Sequence, residues 1–237
     1  MSTDPSTSVT PAEEDLPLII SVDDHVMEPR DLWQQQLPPS KRDRGPRTVQ
    51  EKVRLKFEGG HYGFERDDPD GHLCDVWLYD DLVTPTGFLH GPAGVPREEQ
   101  RNVAAVYEDL RPGTYSQRER LEDMELNHVS AAINYPNIFP RFCGQGFLER
   151  EDKEFALECL KIYNDWIIDD WGGGAGRGKL IPLTLVPLWD PVLAAEEVRR
   201  CASKGSYAIA FSENPSKLGC ATMSVSYTHL TLPTIRL

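Results

Sequence analysis

Two side chains near the start of the chain, Asp23 and His25, have the types and the spacing to hold a metal ion. On an extended backbone, residues two apart point to the same face. A carboxylate oxygen and an imidazole nitrogen converging there suit Zn²⁺ or a similar divalent ion. An Asp-x-His pair is more often a turn cap beside a surface histidine, so spacing alone is a weak signal for a metal. Three further polar clusters follow apolar runs: Asn134 to Asn137, Trp189-Asp190, and Ser212 to Asn214. In α/β folds the working residues sit at such strand ends. Glu213 and Asn134 are therefore the catalytic candidates. Glu213 would act as a general base, and its alternative role is a loop-capping carboxylate. Trp33, Tyr135, Asn137 and Trp189 are the candidates for substrate contact. His61, His72 and His90 fall among glycines, prolines and turns, where surface or lid roles are the default. No Gly-x-Ser-x-Gly elbow occurs and no cysteine has a histidine partner in sequence, which disfavours a Ser or Cys nucleophile.

These side chains need a scaffold, and the apolar patterning describes one. Residues 16–22 (LPLIISV) read as a buried strand that stops at Asp23. Alternation over 53–57, then Gly59-Gly60, then 61–64 signals a hairpin. Residues 72–79 (HLCDVWLY) read as another strand, and 84–97 as a long Gly/Pro excursion. Regular alternation follows. Helices are expected over 117–127, 152–171 and 191–203, and strands over 129–135, 180–188 and 207–211. Asp190 is placed to cap the last helix, with Pro191 in its first turn. Strands alternating with helices imply right-handed βαβ units and a parallel sheet.

Composition narrows the class. The chain has 237 residues and a formal net charge of −13, a poor basis for binding phosphate backbones or anionic membranes. Mean hydropathy is −0.46, and no apolar run approaches the roughly 18 residues of a membrane span. Five scattered cysteines without CxxC spacing fit a reducing, cytoplasmic setting. A small-molecule substrate is the expected partner, with neither nucleic acid nor membrane. Residues 1–16 read as a solvated, disordered tail. Residues 225–234 can be back-translated as GTC TCT TAT ACA CAT CTG ACG CTG CCG ACG, a transposon-end adaptor used in sequencing libraries. The natural reading frame is therefore expected to end near Met223, with 224–237 as a non-native tail.

Residues 20–33 (ISVDDHVMEPRDLW) resemble the opening of the amidohydrolase-related metal-dependent hydrolases, in the branch that includes aminocarboxymuconate-semialdehyde and resorcylate decarboxylases. Residues 163–166 (YNDW), 188–191 (LWDP) and 210–217 (AFSENPSK) resemble further segments of that group. The resemblance implies a (β/α)₈ barrel with a divalent metal, zinc or alternatively manganese, at the strand C-termini. It places Asp23 and His25 as metal ligands from the first strand. Asp in place of His leans toward the decarboxylase-like branch. The family's later histidine and its last carboxylate have no counterpart before Met223. The expectation is thus the N-terminal part of a TIM barrel over 17–223, with a long insert or lid over 38–115 after the first strand. About four βα units fit, where a barrel needs eight. The implied activity is metal-dependent hydrolysis of a small carbonyl- or carboxylate-bearing substrate. The alternatives are non-oxidative decarboxylation on the same fold and a non-catalytic barrel scaffold. The full-length protein is expected to be active, as a monomer or homo-oligomer, and this shorter chain inactive.

Overall fold

A computed structural model describes residues 17–212 and 214–220. The two terminal segments singled out above, and Glu213, lie outside these residues. Two four-stranded sheets organise the described residues.

The first sheet is parallel, with β1 (Ile19–Val26), β6 (Val129–Pro136), β7 (Leu180–Leu185) and β8 (Ala208–Ala210) in that spatial order. Helices alternate with its strands. α2 (Gln117–Leu126) precedes β6, α3 (Gln145–Leu148) and α4 (Lys153–Trp166) lie between β6 and β7, and α5 (Pro191–Ser203) lies between β7 and β8. The starts of α4 and α5 follow from their caps. Asp152 accepts from the Phe155 amide, and Asp190 accepts from the Val192 and Leu193 amides with Pro191 opening the helix, satisfying donors that have no intrahelical partner. A π-helical turn over Ile167–Trp171 extends α4.

The second sheet is antiparallel and lies in sequence between α1 (Leu32–Gln36) and α2. It comprises β2 (Arg47–Glu58), β3 (His61–Arg66), β4 (His72–Tyr79) and β5 (Leu82–Pro85), in the order β3-β2-β4-β5. The β2–β3 turn uses Gly59 and Gly60 at φ +59° and +82°, the left-handed pair that a tight hairpin requires. β5 falls at the edge of the region read as an irregular excursion. Four residues ending in proline carry too little pattern to register as a strand, and pairing with β4 supplies the order.

One apolar cluster joins the two sheets. Trp33 packs edge-on against Trp77 and Phe139, with ring centroids 5.7 and 4.8 Å away. Asp75, fully buried on β4, ties the same junction with polar bonds. It accepts from Arg30 Nε at 2.9 Å, the Tyr107 amide at 2.8 Å and Gln50 Nε2 at 3.1 Å.

The outer strands of the parallel sheet remain open among the described residues. Leu18, Ile20 and Val22 on the β1 side are exposed, as are Tyr207, Ile209 and Phe211 on the β8 side, with Tyr207 93% exposed. Buried parallel strands are normally covered on both faces; the strand expected to be buried over 16–22 is instead largely exposed in its described residues, because no described element packs over it.

Candidate functional site

The C-terminal end of β1 differs from its sequence reading. The strand runs through Asp23-Asp24-His25 to Val26, because β6 continues beside it. Asp24 registers with Asn134, His25 with Tyr135 and Val26 with Pro136. Ser21 registers with Ala132, so Val22 and Asp23 together face the single residue Ile133. This bulge inserts one residue and bends the strand where the polar cluster begins.

Three consecutive side chains are thereby sorted. Asp24 turns toward the helix layer. Its Oδ1 accepts from Ser21 Oγ at 2.6 Å and its Oδ2 from Arg120 Nη1, on α2, at 3.1 Å. Arg120 also donates Nη2 to the His25 carbonyl at 2.7 Å and Nε to the Gly113 carbonyl at 2.5 Å. Burial works against the Arg120 charge, and Asp24 and Asp123 restore part of it. Asp23 and His25 flank Asp24 and are both exposed. Strand alternation puts them on the opposite face from Asp24. The His25 ring lies 6.0 Å from that of Tyr135, its register partner.

The remaining sequence candidates scatter. Asn134 is fully buried and faces the helix layer, its Oδ1 accepting from Trp171 Nε1 at 3.0 Å. Trp33 is fully buried, its Nε1 donating to the Cys159 carbonyl at 2.9 Å, so it serves the core and lines no opening. Tyr135 and Asn137 are half-buried at the end of β6. Trp189 is half-buried under the Lys153 ammonium, 5.4 Å from its ring centre.

Glu28 is the residue the sequence reading passed over. It is fully buried just after β1, and Oε1 accepts from the Asn137 amide at 3.3 Å. Among the described residues Oε2 has no hydrogen-bond partner, nor does the buried Tyr163 hydroxyl. Burial pushes the Glu28 carboxyl up to about 7, against the pull of backbone amides at Asn137 and Ile138. The signal was present in Val26-Met27-Glu28-Pro29, an acid embedded in an apolar run at a strand end. Glu28, just after the strand that carries His25, thereby links the loop after β1 to Asn137 in the loop after β6.

A cleft of about 420 Å³ opens on the α2 side, lined by Asp24, Arg111, Arg120 and Asp123 among others. Its charges are already paired, Asp24 with Arg120 and Asp123 with Arg111, and neither Asp23 nor His25 lines it. No group of three or more His, Cys, Asp or Glu side chains able to hold a metal ion occurs among the described residues. Asp23 and His25 are therefore two donors where a catalytic zinc site uses three protein ligands, and the set is incomplete.

Fold and strand-end geometry together define a mixed α/β protein with one parallel and one antiparallel sheet. The chain is similar in structure to an amidohydrolase from Mycobacterium avium subsp. paratuberculosis K-10, with a TM-score of 0.51 and 18% identity. The match covers 81% of this chain and 48% of that one, so the chain spans about half the length of the solved structure it resembles. At this identity the likeness speaks to fold. No family model and no curated protein matches the chain. No helix among the described residues is long and apolar enough to cross a membrane.

Proposed function

We propose that this chain is the N-terminal half of a metal-dependent hydrolase barrel, acting when complete on a small carbonyl- or carboxylate-bearing molecule. The observation that carries the reading is the sorting of β1. Asp24 is bound to Arg120 on the helix side, while Asp23 and His25 are left exposed together at the C-terminal end of a parallel sheet. Four parallel strands with open apolar faces, and a fold neighbour of which the match covers only 48%, support the half-barrel. In this reading the second sheet is an insertion after the first barrel strand, and the missing ligands come from later βα units. Because the donor set is incomplete, no catalytic step follows from these residues. Decarboxylation of an aromatic or unsaturated acid is the second reading, favoured by an aspartate rather than a histidine at position 23.

Zinc and manganese titration against a chromophoric chelator tests the reading. The expected result is weak binding that disappears in Asp23→Asn and His25→Ala. Tight stoichiometric binding would contradict the half-site, and binding untouched by both variants would remove the ligand assignment.

A further inference from the structure

We propose that β3 is a dimerisation edge, on which a second copy of this chain adds its own β3 antiparallel about a two-fold axis at Gly63. The proposal is independent of the metal-ligand reading of β1.

The β2–β3 hairpin projects as an arm. β2 pairs with β4 over Arg47–Val53 and with β3 over Val53–Glu58, so beyond Val53 the sheet is two strands wide. A two-stranded ribbon is marginal in water unless its apolar face is covered. Register defines that face, since directly opposed residues share a side of the sheet. Leu55 opposes Phe64 and Phe57 opposes Tyr62, the latter rings lying 4.7 Å apart between centroids. Lys56, Glu58, His61 and Glu65 take the other side. Leu55 packs against the small core of Val53, Cys74, Val76 and Ala104, whereas Phe57 is 58% and Tyr62 78% exposed. The apolar stripe thus leaves the core and ends in solvent.

β3 is also the free edge of its sheet among the described residues, and all six of its residues are exposed. The far side of β2 is closed at the base of the arm. There the Asp68 amide donates to the Lys52 carbonyl at 3.3 Å, and Arg54 pairs with Asp68 at 2.6 Å. Glu58 and His61 close the two-residue Gly59-Gly60 turn and exchange backbone bonds, so the backbone groups of Tyr62 and Phe64 point outward. Pairing two β3 strands about Gly63 sets Tyr62 of each copy against Phe64 of the other as bonded pairs. It sets His61 against Glu65 in the same reciprocal way, an imidazole beside a carboxylate. Apolar and charged faces both continue across the seam. Gly63 sits on the axis. It is not among the positive-φ residues, and a Cβ there would meet nothing within 4 Å, so nothing within one copy calls for glycine. Glycine inside a strand weakens it and marks close approach of another backbone. This self-complementarity selects a second copy as the occupant.

One short strand per copy falls below the roughly 1,200 Å² of a standard interface, so the dimer is expected to be weak. Sedimentation velocity of the 237-residue protein should show monomer giving way to dimer between about 10 and about 300 µM. A cysteine scan reads the register. Only position 63 meets its own copy, at the Cα spacing of about 4.5 Å that a disulfide spans. Under mild oxidation Gly63→Cys should form a covalent dimer at least about fivefold faster than His61→Cys or the parent, four of whose five cysteines are buried. Lysine at Tyr62 and Phe64 together sets like charges opposite one another and should weaken the dimer at least about tenfold. A parental urea midpoint shows that this variant still folds. A monomer throughout the concentration range, or equal cross-linking at 61 and 63, would overturn the proposal. So would a dimer that survives the lysine pair and is lost in Tyr207→Lys with Ile209→Lys, which would put the contact on β8.

Discussion

The Asp24 carboxylate on β1 meets the Arg120 guanidinium on α2 at 3.1 Å, and this single bond decides what its neighbours can do. It holds one of two adjacent aspartates against the helix layer and leaves the other, with His25, free on the opposite face. The two aspartates should therefore fail differently. Asp24→Asn is expected to lose about 1–3 kcal/mol in urea unfolding, since it weakens the pairing of a largely buried cation, with zinc affinity little changed. Asp23→Asn should lose zinc affinity at near-parental stability. The reverse pattern would show that the strand faces are assigned the wrong way round.

Glu28 should make stability depend on pH with a definite sign. Its carboxyl is raised from 4.5 to about 7 by burial. Below about 4.5 the group is protonated in both folded and unfolded chains. Between there and about 7 the unfolded chain ionises first, so the stabilising contribution declines as pH rises and levels off above the folded value. Glu28→Gln removes the titration. Its advantage over the parent should grow from near zero at pH 4.5 to about 3 kcal/mol at pH 8. Urea midpoints across that range check it, and a difference that stays constant with pH would refute the assignment.

Asp75 should behave as the hinge pin between the two sheets. Asp75→Ala strands the Tyr107 amide and leaves Arg30 with Glu108 as its remaining acid partner. A loss of about 1–3 kcal/mol is expected for the buried donor left unsatisfied. Limited proteolysis should then cut residues 86–106 faster than in the parent. Unchanged unfolding would mean the aromatic cluster around Trp33 and Trp77 holds the junction without it.

The open edges should drive association. Apolar strands left uncovered promote edge-to-edge pairing. Lysine at Tyr207 and Ile209 together should lower the fraction of large species in light scattering and reduce binding of an apolar dye. Scattering as strong as in the parent would place the sticky surface elsewhere.

Much of the scaffold was legible from local chemistry. The helix over 191–203 was readable because Asp190 and Pro191 mark its start, and the hairpin because Gly59-Gly60 admits few other conformations. The strands of the parallel sheet showed as apolar runs, although among the described residues the outer two, β1 and β8, are largely uncovered. The site was less legible. Asp23-x-His25 was visible as a pair, but the strand's extension past Asp23 depends on β6 lying alongside, which is a long-range pairing.

The sequence by itself determined the alternation of strands and helices, the caps, and the presence of two metal-competent side chains two residues apart. These depend on residue type and short spacing. Only the tertiary structure decided that Asp24 turns away to Arg120, that Asn134 and Trp33 serve the interior, and that Glu28 is buried with a raised pKa. Each of those depends on which distant segment lies across from a side chain, through burial and partner identity, and neither is encoded in local pattern.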